Sequence, residues 1–155
     1  MLIEVLVDEG LQERVDPEPL RWAALQTLHH QRVEDGCELA VVVTGDEVLR
    51  ELNHLYRGVD VPTDVLAFAD DPSGQFVDAP GAPHHLGDII ISFPRAEAQA
   101  AEAGHAVQAE MQLLVVHGLL HLLGYDDQTD DARAKMWAAQ SDVLQTLGLA
   151  IGLPL

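Results

Sequence analysis

The chain has 155 residues, 48% of them apolar, which is enough for one domain (residues 1–155) that buries its own core. Its 26 acidic against 8 basic side chains give a formal net charge of -18. That charge excludes a conventional basic nucleic-acid-binding module and opposes anionic membrane surfaces.

The opening residues MLIEVLVDEG read as a strand rich in Val, Ile and Leu. Glu4 and Asp8, with no basic leader, argue against a signal peptide. Pro17 and Pro19 open a helix predicted to run to about His30. CELAVVVTG is a second strand, apolar almost without interruption and therefore expected in the middle of a sheet. Its Cys37 is the single cysteine, which rules out an internal disulfide and suits a small buried residue in a reducing compartment.

Thr44 and Glu47 have the spacing of a capping box, so the next helix is predicted from there to about Arg57. Val48, Leu52, Leu55 and Tyr56 form its expected apolar face, with Arg50, Asn53, His54 and Arg57 on the polar one. TDVLAFAD is a third strand. A Pro-, Gly- and Asp-rich loop from Asp70 to about His85 is expected to be mobile, with His84 and His85, like His54, as surface residues. GDIIISF is a fourth strand. Asp64 and Asp88 each stand at an expected strand start, where turn or capping roles compete with catalysis.

Pro94 starts an Ala-rich helix ending near Gly104. The central helix follows, about Val107 to Leu123, with Gly124 as its C-terminal stop. Thr129 caps the last helix, with Asp130 and Asp131 in its first turn. The longest strongly apolar run, Leu113 to Leu123, is too short to span a bilayer. Strands before position 93 and helices after it predict an α+β layer structure in a soluble, cytoplasmic protein.

The chemistry concentrates in HGLLHLLGYDD, His117 to Asp127. Residues four apart on a helix lie about 40° and about 6 Å apart, so His117 and His121 offer ring nitrogens to one point. Gly124 turns the chain so that a carboxylate just beyond it returns to that point. Asp127 completes the spacing H-x3-H-x5-D, with adjacent Asp126 also within reach. Two His and one carboxylate with an open fourth position is a catalytic zinc pattern, and zinc is the default metal. Two histidines serving only as core residues would each need a dedicated buried partner. The H-E-x-x-H protease pattern is absent, because Gly118 stands where the general base would be.

This stretch resembles the signature H-G-x-L-H-L-x-G-Y-D-H of the YbeY family, bacterial single-strand-specific endoribonucleases of ribosomal RNA maturation. NHLYRGVDVPTDVLAF, LGDIIIS and PRAEAQAAEAGH extend the resemblance from about Glu38 to Leu147. It implies a small mixed four-stranded sheet packed with about five helices, in a zinc-protease-like layout around a central metal-binding helix. It also implies metal ligation by His117 and His121 and a functional role for Arg57. The chain departs from the pattern at Asp127, where a third His is usual, and at Ala67, where Ser is usual.

The function so implied is zinc-dependent cleavage of single-stranded or ribosomal RNA, acting on the small-subunit rRNA 3′ end and in ribosome quality control, with no DNA substrate and no membrane. A guanidinium suits bidentate phosphate contact. Arg50 and Arg57, seven apart on one helix, form a small substrate-binding strip. The acidic balance predicts weak binding to free RNA, with the ribosome or a ribosomal protein delivering substrate. No residue declares itself as general base. A non-catalytic ribosome-assembly factor with a bracing metal, and a hydrolase of another substrate, are the alternatives.

Overall fold

The computed structural model describes residues 1–70 and 84–149. The apolar run Cys37–Thr44 forms β2, which is hydrogen-bonded on both sides, as its uninterrupted apolar character requires. On one side lies β1 (Leu2–Val7), parallel and in register from Leu2 opposite Glu38 to Val7 opposite Val43. On the other lies β4 (His84–Ser92), also parallel. The edge strand β3 (Val65–Ala69) runs antiparallel to β4, giving the order β1-β2-β4-β3.

The helices among the described residues are α1 (Pro17–His30), α2 (Asp46–Arg57), α3 (Phe93–Ala103), α4 (Val107–Leu122) and α5 (Asp130–Thr146). α4 packs against α1, α3, α5 and the β3–β4 half of the sheet. The core lies between them: Leu39, Val41 and Val43 of β2, Ile89 and Ile91 of β4, and Val115, Leu119 and Leu120 of α4 are buried. Cys37 is buried at the start of β2, and desolvation pushes its thiol up. Gly118 has a packing reason, since a Cβ there would stand 3.0 Å from Ile89 Cγ2. The glycine lets α4 lie directly on the sheet beside His117.

Several sequence expectations change. β4 begins at His84, ahead of the predicted start, so His84 and His85 belong to a strand. The His85 ring lies 3.5 Å from the Glu38 carboxylate and 3.2 Å from that of Asp88. Asp88 therefore stands inside β4, opposite Phe68, and does not start it. Gly87 carries φ +149°, and a Cβ there would sit 2.2 Å from the Phe68 carbonyl oxygen, so β3 and β4 can approach only over a glycine. The expected loop lies outside the described residues between 71 and 83.

The capping box does not form. Gly45 is the N-cap of α2 without a side-chain bond, because the Thr44 hydroxyl donates to the Asp8 carboxylate instead. The apolar face of α2 is also shifted. Leu49 and Asn53 are buried, whereas Val48, Leu55 and Tyr56 are exposed. Thr129 does cap α5, accepting from the Ala132 N–H at 3.1 Å.

Candidate metal centre

His117 and His121 occupy the last turns of α4, where the helix leaves the core. The chain turns there in a Schellman arrangement: the Gly124 N–H donates to the His121 carbonyl at 3.1 Å, and the Tyr125 N–H to the Leu120 carbonyl at 3.0 Å. Gly124 takes φ +105° to do so. This turn brings the Tyr125 carbonyl back over the helix, where it accepts from His121 Nδ1 at 3.0 Å.

His117 Nδ1 donates to Gln140 Oε1 at 3.0 Å, from α5. Gln140 is 2% exposed, so its amide is held by packing. Both imidazoles thus donate from Nδ1, and their Nε2 atoms face each other 3.2 Å apart. The rings meet edge to face at 79°. Two lone pairs at that distance repel unless a cation or a proton lies between them. Burial, followed by the nearby His117, holds His121 below the usual imidazole range. A neutral His121 is what a metal ligand requires. Outward Nδ1 donors, a His121 held neutral and converging Nε2 atoms therefore fit a divalent cation.

The histidines open into a cleft of about 410 Å³ lined also by Arg57, Thr63, Asp64, Val65, Leu66, Ala67, Gly118 and Asp127. The two candidate carboxylates are separated by the turn. Asp127 lines the cleft, whereas Asp126 lies outside its lining and accepts from the Gln128 N–H at 3.0 Å. Among the described residues no three His, Cys, Asp or Glu side chains are already gathered as a metal-holding group. The cleft supplies the two imidazoles together and Asp127 on its wall.

Arg57 reaches this cleft from the end of α2. Gly58, at φ +72°, stops the helix there, and the buried Asn53 donates to the Val61 carbonyl at 2.8 Å to hold the following loop. Arg57 is exposed and has no ion-pair partner among the described residues. Arg50 is placed differently: it binds Asp60 with both ends of its guanidinium, at 2.9 and 3.3 Å, and is absent from the cleft lining. That pair raises Arg50 and lowers Asp60 from their ordinary values, each chiefly through their mutual hydrogen bond. The structure does not bring Arg50 and Arg57 together as a strip.

Sequence reasoning missed Gln140 and the Tyr125 carbonyl. Asp64 also lines the cleft, with Oδ1 accepting from the Val65 N–H at 2.8 Å and Oδ2 from Gln99 at 3.3 Å. Its contact with Val65 is a local role of the turn or capping kind weighed against catalysis from the sequence.

Comparisons with known proteins identify the family. The family model described as Endoribonuclease YbeY matches residues 11–148. The Endoribonuclease YbeY of Chloroflexus aggregans is 47% identical, over 98% of this chain and 97% of that relative. The protein of the same name from Bacillus cereus is 44% identical over 77% of this chain and 78% of its own length. A Thermotoga maritima protein solved in solution shares the fold with a TM-score of 0.60 at 24% identity, covering 94% of this chain and 89% of that one. With the His-x3-His turn, the span of the family match and these identities in agreement, the chain belongs to the YbeY endoribonuclease family.

Proposed function

We propose that this protein is a metal-dependent endoribonuclease that cuts single-stranded RNA during ribosomal RNA maturation. Its relatives carry the name of an endoribonuclease. The observation that carries the reading is the pair of Nε2 atoms 3.2 Å apart, in a cleft shared with Arg57, which has no ion-pair partner among the described residues. His117 and His121 hold the cation and Asp127 is its third ligand. Two imidazoles with one carboxylate favour zinc. When bound, the metal supplies Lewis-acid polarisation of a phosphoryl oxygen and activation of water.

The remaining work falls to this chain's own groups. Gln140 and the Tyr125 carbonyl keep both imidazoles in the ligating tautomer. Arg57 holds the non-bridging oxygens of the phosphodiester and stabilises charge developing on them. Arg50, neutralised by Asp60, organises the loop behind Arg57 without touching substrate. The net charge of -18 gives little non-specific affinity for phosphate. Substrate is therefore presented by the ribosome or a basic ribosomal protein, in the cytoplasm. Among the described residues no helix is long and apolar enough to cross a membrane.

The test is elemental analysis of the purified protein alongside cleavage of a labelled single-stranded RNA. Stoichiometric zinc in the wild type, lost in His117→Ala together with cleavage, is the expected outcome. A metal-replete wild type that leaves RNA intact while still supporting rRNA maturation would replace this reading with a non-catalytic assembly factor.

A further inference from the structure

α2 exposes more apolar surface than an amphipathic helix needs. Tyr56 is 64% exposed and Leu55 71%, with Val59 and Val61 exposed in the loop that follows. Tyr56 immediately precedes Arg57, and its ring rests on Phe68 of β3 with centroids 4.9 Å apart at 55°. These two aromatics line a second cleft of about 580 Å³ with Leu52, Ala67, Asp88 and Ile90.

That cleft adjoins the metal cleft. Ala67, on edge strand β3, lines both. The histidines and Arg57 stand on one side of the edge, with Tyr56 and Phe68 on the other. The two clefts divide by chemistry. Arg57 offers a cation to the first, whereas among the described residues no Lys or Arg lines the second. The one charged group lining the second cleft among the described residues, Asp88, lies 3.2 Å from the His85 ring. A phosphate has nothing to bind there, and a flat uncharged ring does.

We propose that the Tyr56–Phe68 cleft is a base-stacking subsite, which seats one unpaired nucleobase next to the scissile phosphate held at Arg57 and the histidines. This rests on the endoribonuclease reading above and names the feature of the substrate that is read. A base inside a duplex is already stacked and paired, so it cannot enter without unpairing. An unpaired base stacks on tyrosine regardless of its identity. The subsite thus gives a preference for single strands with little sequence preference. It also adds affinity that does not depend on positive charge, which this acidic chain lacks.

The experiment uses the full chain and a short oligoribonucleotide with one cleavage site, in which an abasic residue is placed in turn at each flanking position. In the wild type one flanking position should be sensitive, its abasic form losing about fivefold to a hundredfold in kcat/KM. Tyr56→Ala should lose a similar factor on the intact oligonucleotide and lose nothing more when that base is removed. Tyr56→Phe should retain both the rate and the sensitivity. Metal content and thermal midpoint, measured on each variant, exclude a folding defect.

A 2-aminopurine at the sensitive position gives an independent readout, quenched on binding to wild type and Tyr56→Phe but not to Tyr56→Ala. An abasic penalty that persists undiminished in Tyr56→Ala would overturn the subsite. So would normal cleavage of free oligonucleotide by Tyr56→Ala combined with failed rRNA maturation, which would assign the patch to a protein partner. Cleavage without any position-specific base sensitivity removes the subsite alone. A wild type that cleaves no RNA removes the endoribonuclease reading as well.

Discussion

The two helices that meet at the metal cleft are built on opposite plans. α4 is buried along most of its length, including Val115, Val116, Gly118, Leu119 and Leu120 around the first histidine. α2 buries Leu49 and Asn53 and leaves most of its surface in solvent. The histidines of α4 are oriented by groups that are themselves fixed, Gln140 in the core and the Tyr125 carbonyl in a closed helix-end turn. Among the described residues Arg57 of α2 is held through its backbone alone, by Gly58 and by the Asn53 bond to the next loop. Metal ligation tolerates little displacement, which suits the place of the proposed ligands on the buried element. A phosphate on a flexible single strand arrives in varied poses, and an exposed guanidinium can follow it.

That contrast predicts a graded response to mutation. The largest effect belongs to His117→Ala or His121→Ala. Either should abolish stoichiometric metal binding and reduce cleavage beyond the about 10–100-fold cost of losing an outer partner. Elemental analysis and single-turnover cleavage measure both, and retained metal in either variant would break the two-imidazole assignment. Arg57→Ala comes next. It should lower kcat by about 10²–10³-fold, the cost of removing one group that stabilises developing charge, with metal content unchanged. Arg57→Lys should recover little, because an ammonium lacks the planar fork. Loss of metal in Arg57→Ala would mean that the two helices are not independent.

Gln140→Leu should weaken metal affinity by about 10–100-fold, measured by competition with a chelator. It should also cost about 1–3 kcal/mol of stability by leaving the His117 Nδ1–H without its partner. Gln140→Glu should restore ligation, since a carboxylate oxygen accepts the same bond. Nitrogen NMR of the metal-free protein tests the cause. The wild type should show His117 protonated on Nδ1, and Gln140→Leu should show a tautomer mixture. An unchanged tautomer would reduce Gln140 to a packing role.

The metal helix was the easier part to read from the chain. An i, i+4 spacing, a Gly stop and a following acid are local signals, and they placed His117, His121 and Asp127 on one cleft. β2 was equally legible, because an almost uninterrupted apolar strand belongs in the middle of a sheet, and it is paired there on both sides. Gln140 was not legible, since it stands 23 residues from His117 and meets it only through the packing of α5 on α4. The misplaced face of α2 has a related cause. Periodicity marks an apolar stripe but does not say whether anything covers it, and here Leu55 and Tyr56 face solvent while Asn53 turns inward to tie the loop. The Thr44–Glu47 capping box failed because a long-range acceptor, Asp8, took the threonine hydroxyl.

The smallest effect expected is at Arg50, and it is the sharpest test of how α2 is organised. Sequence spacing put Arg50 beside Arg57 on one helix as a small candidate substrate-binding strip. In the structure Arg50 is consumed by Asp60 and stands outside the cleft lining, while Arg57 has no acid partner among the described residues. An exposed pair of this kind contributes little to stability. Arg50→Ala should therefore leave the thermal midpoint, the metal content and the cleavage rate at wild-type values, with a salt dependence of RNA binding no shallower than before. Asp60→Ala leaves Arg50 with only its 3.6 Å approach to Glu47 and should raise affinity for single-stranded RNA at low salt, with no change in kcat. If Arg50→Ala instead loses cleavage in step with Arg57→Ala, the Asp60 pair opens when substrate binds. Both arginines of α2 would then face the phosphate backbone together.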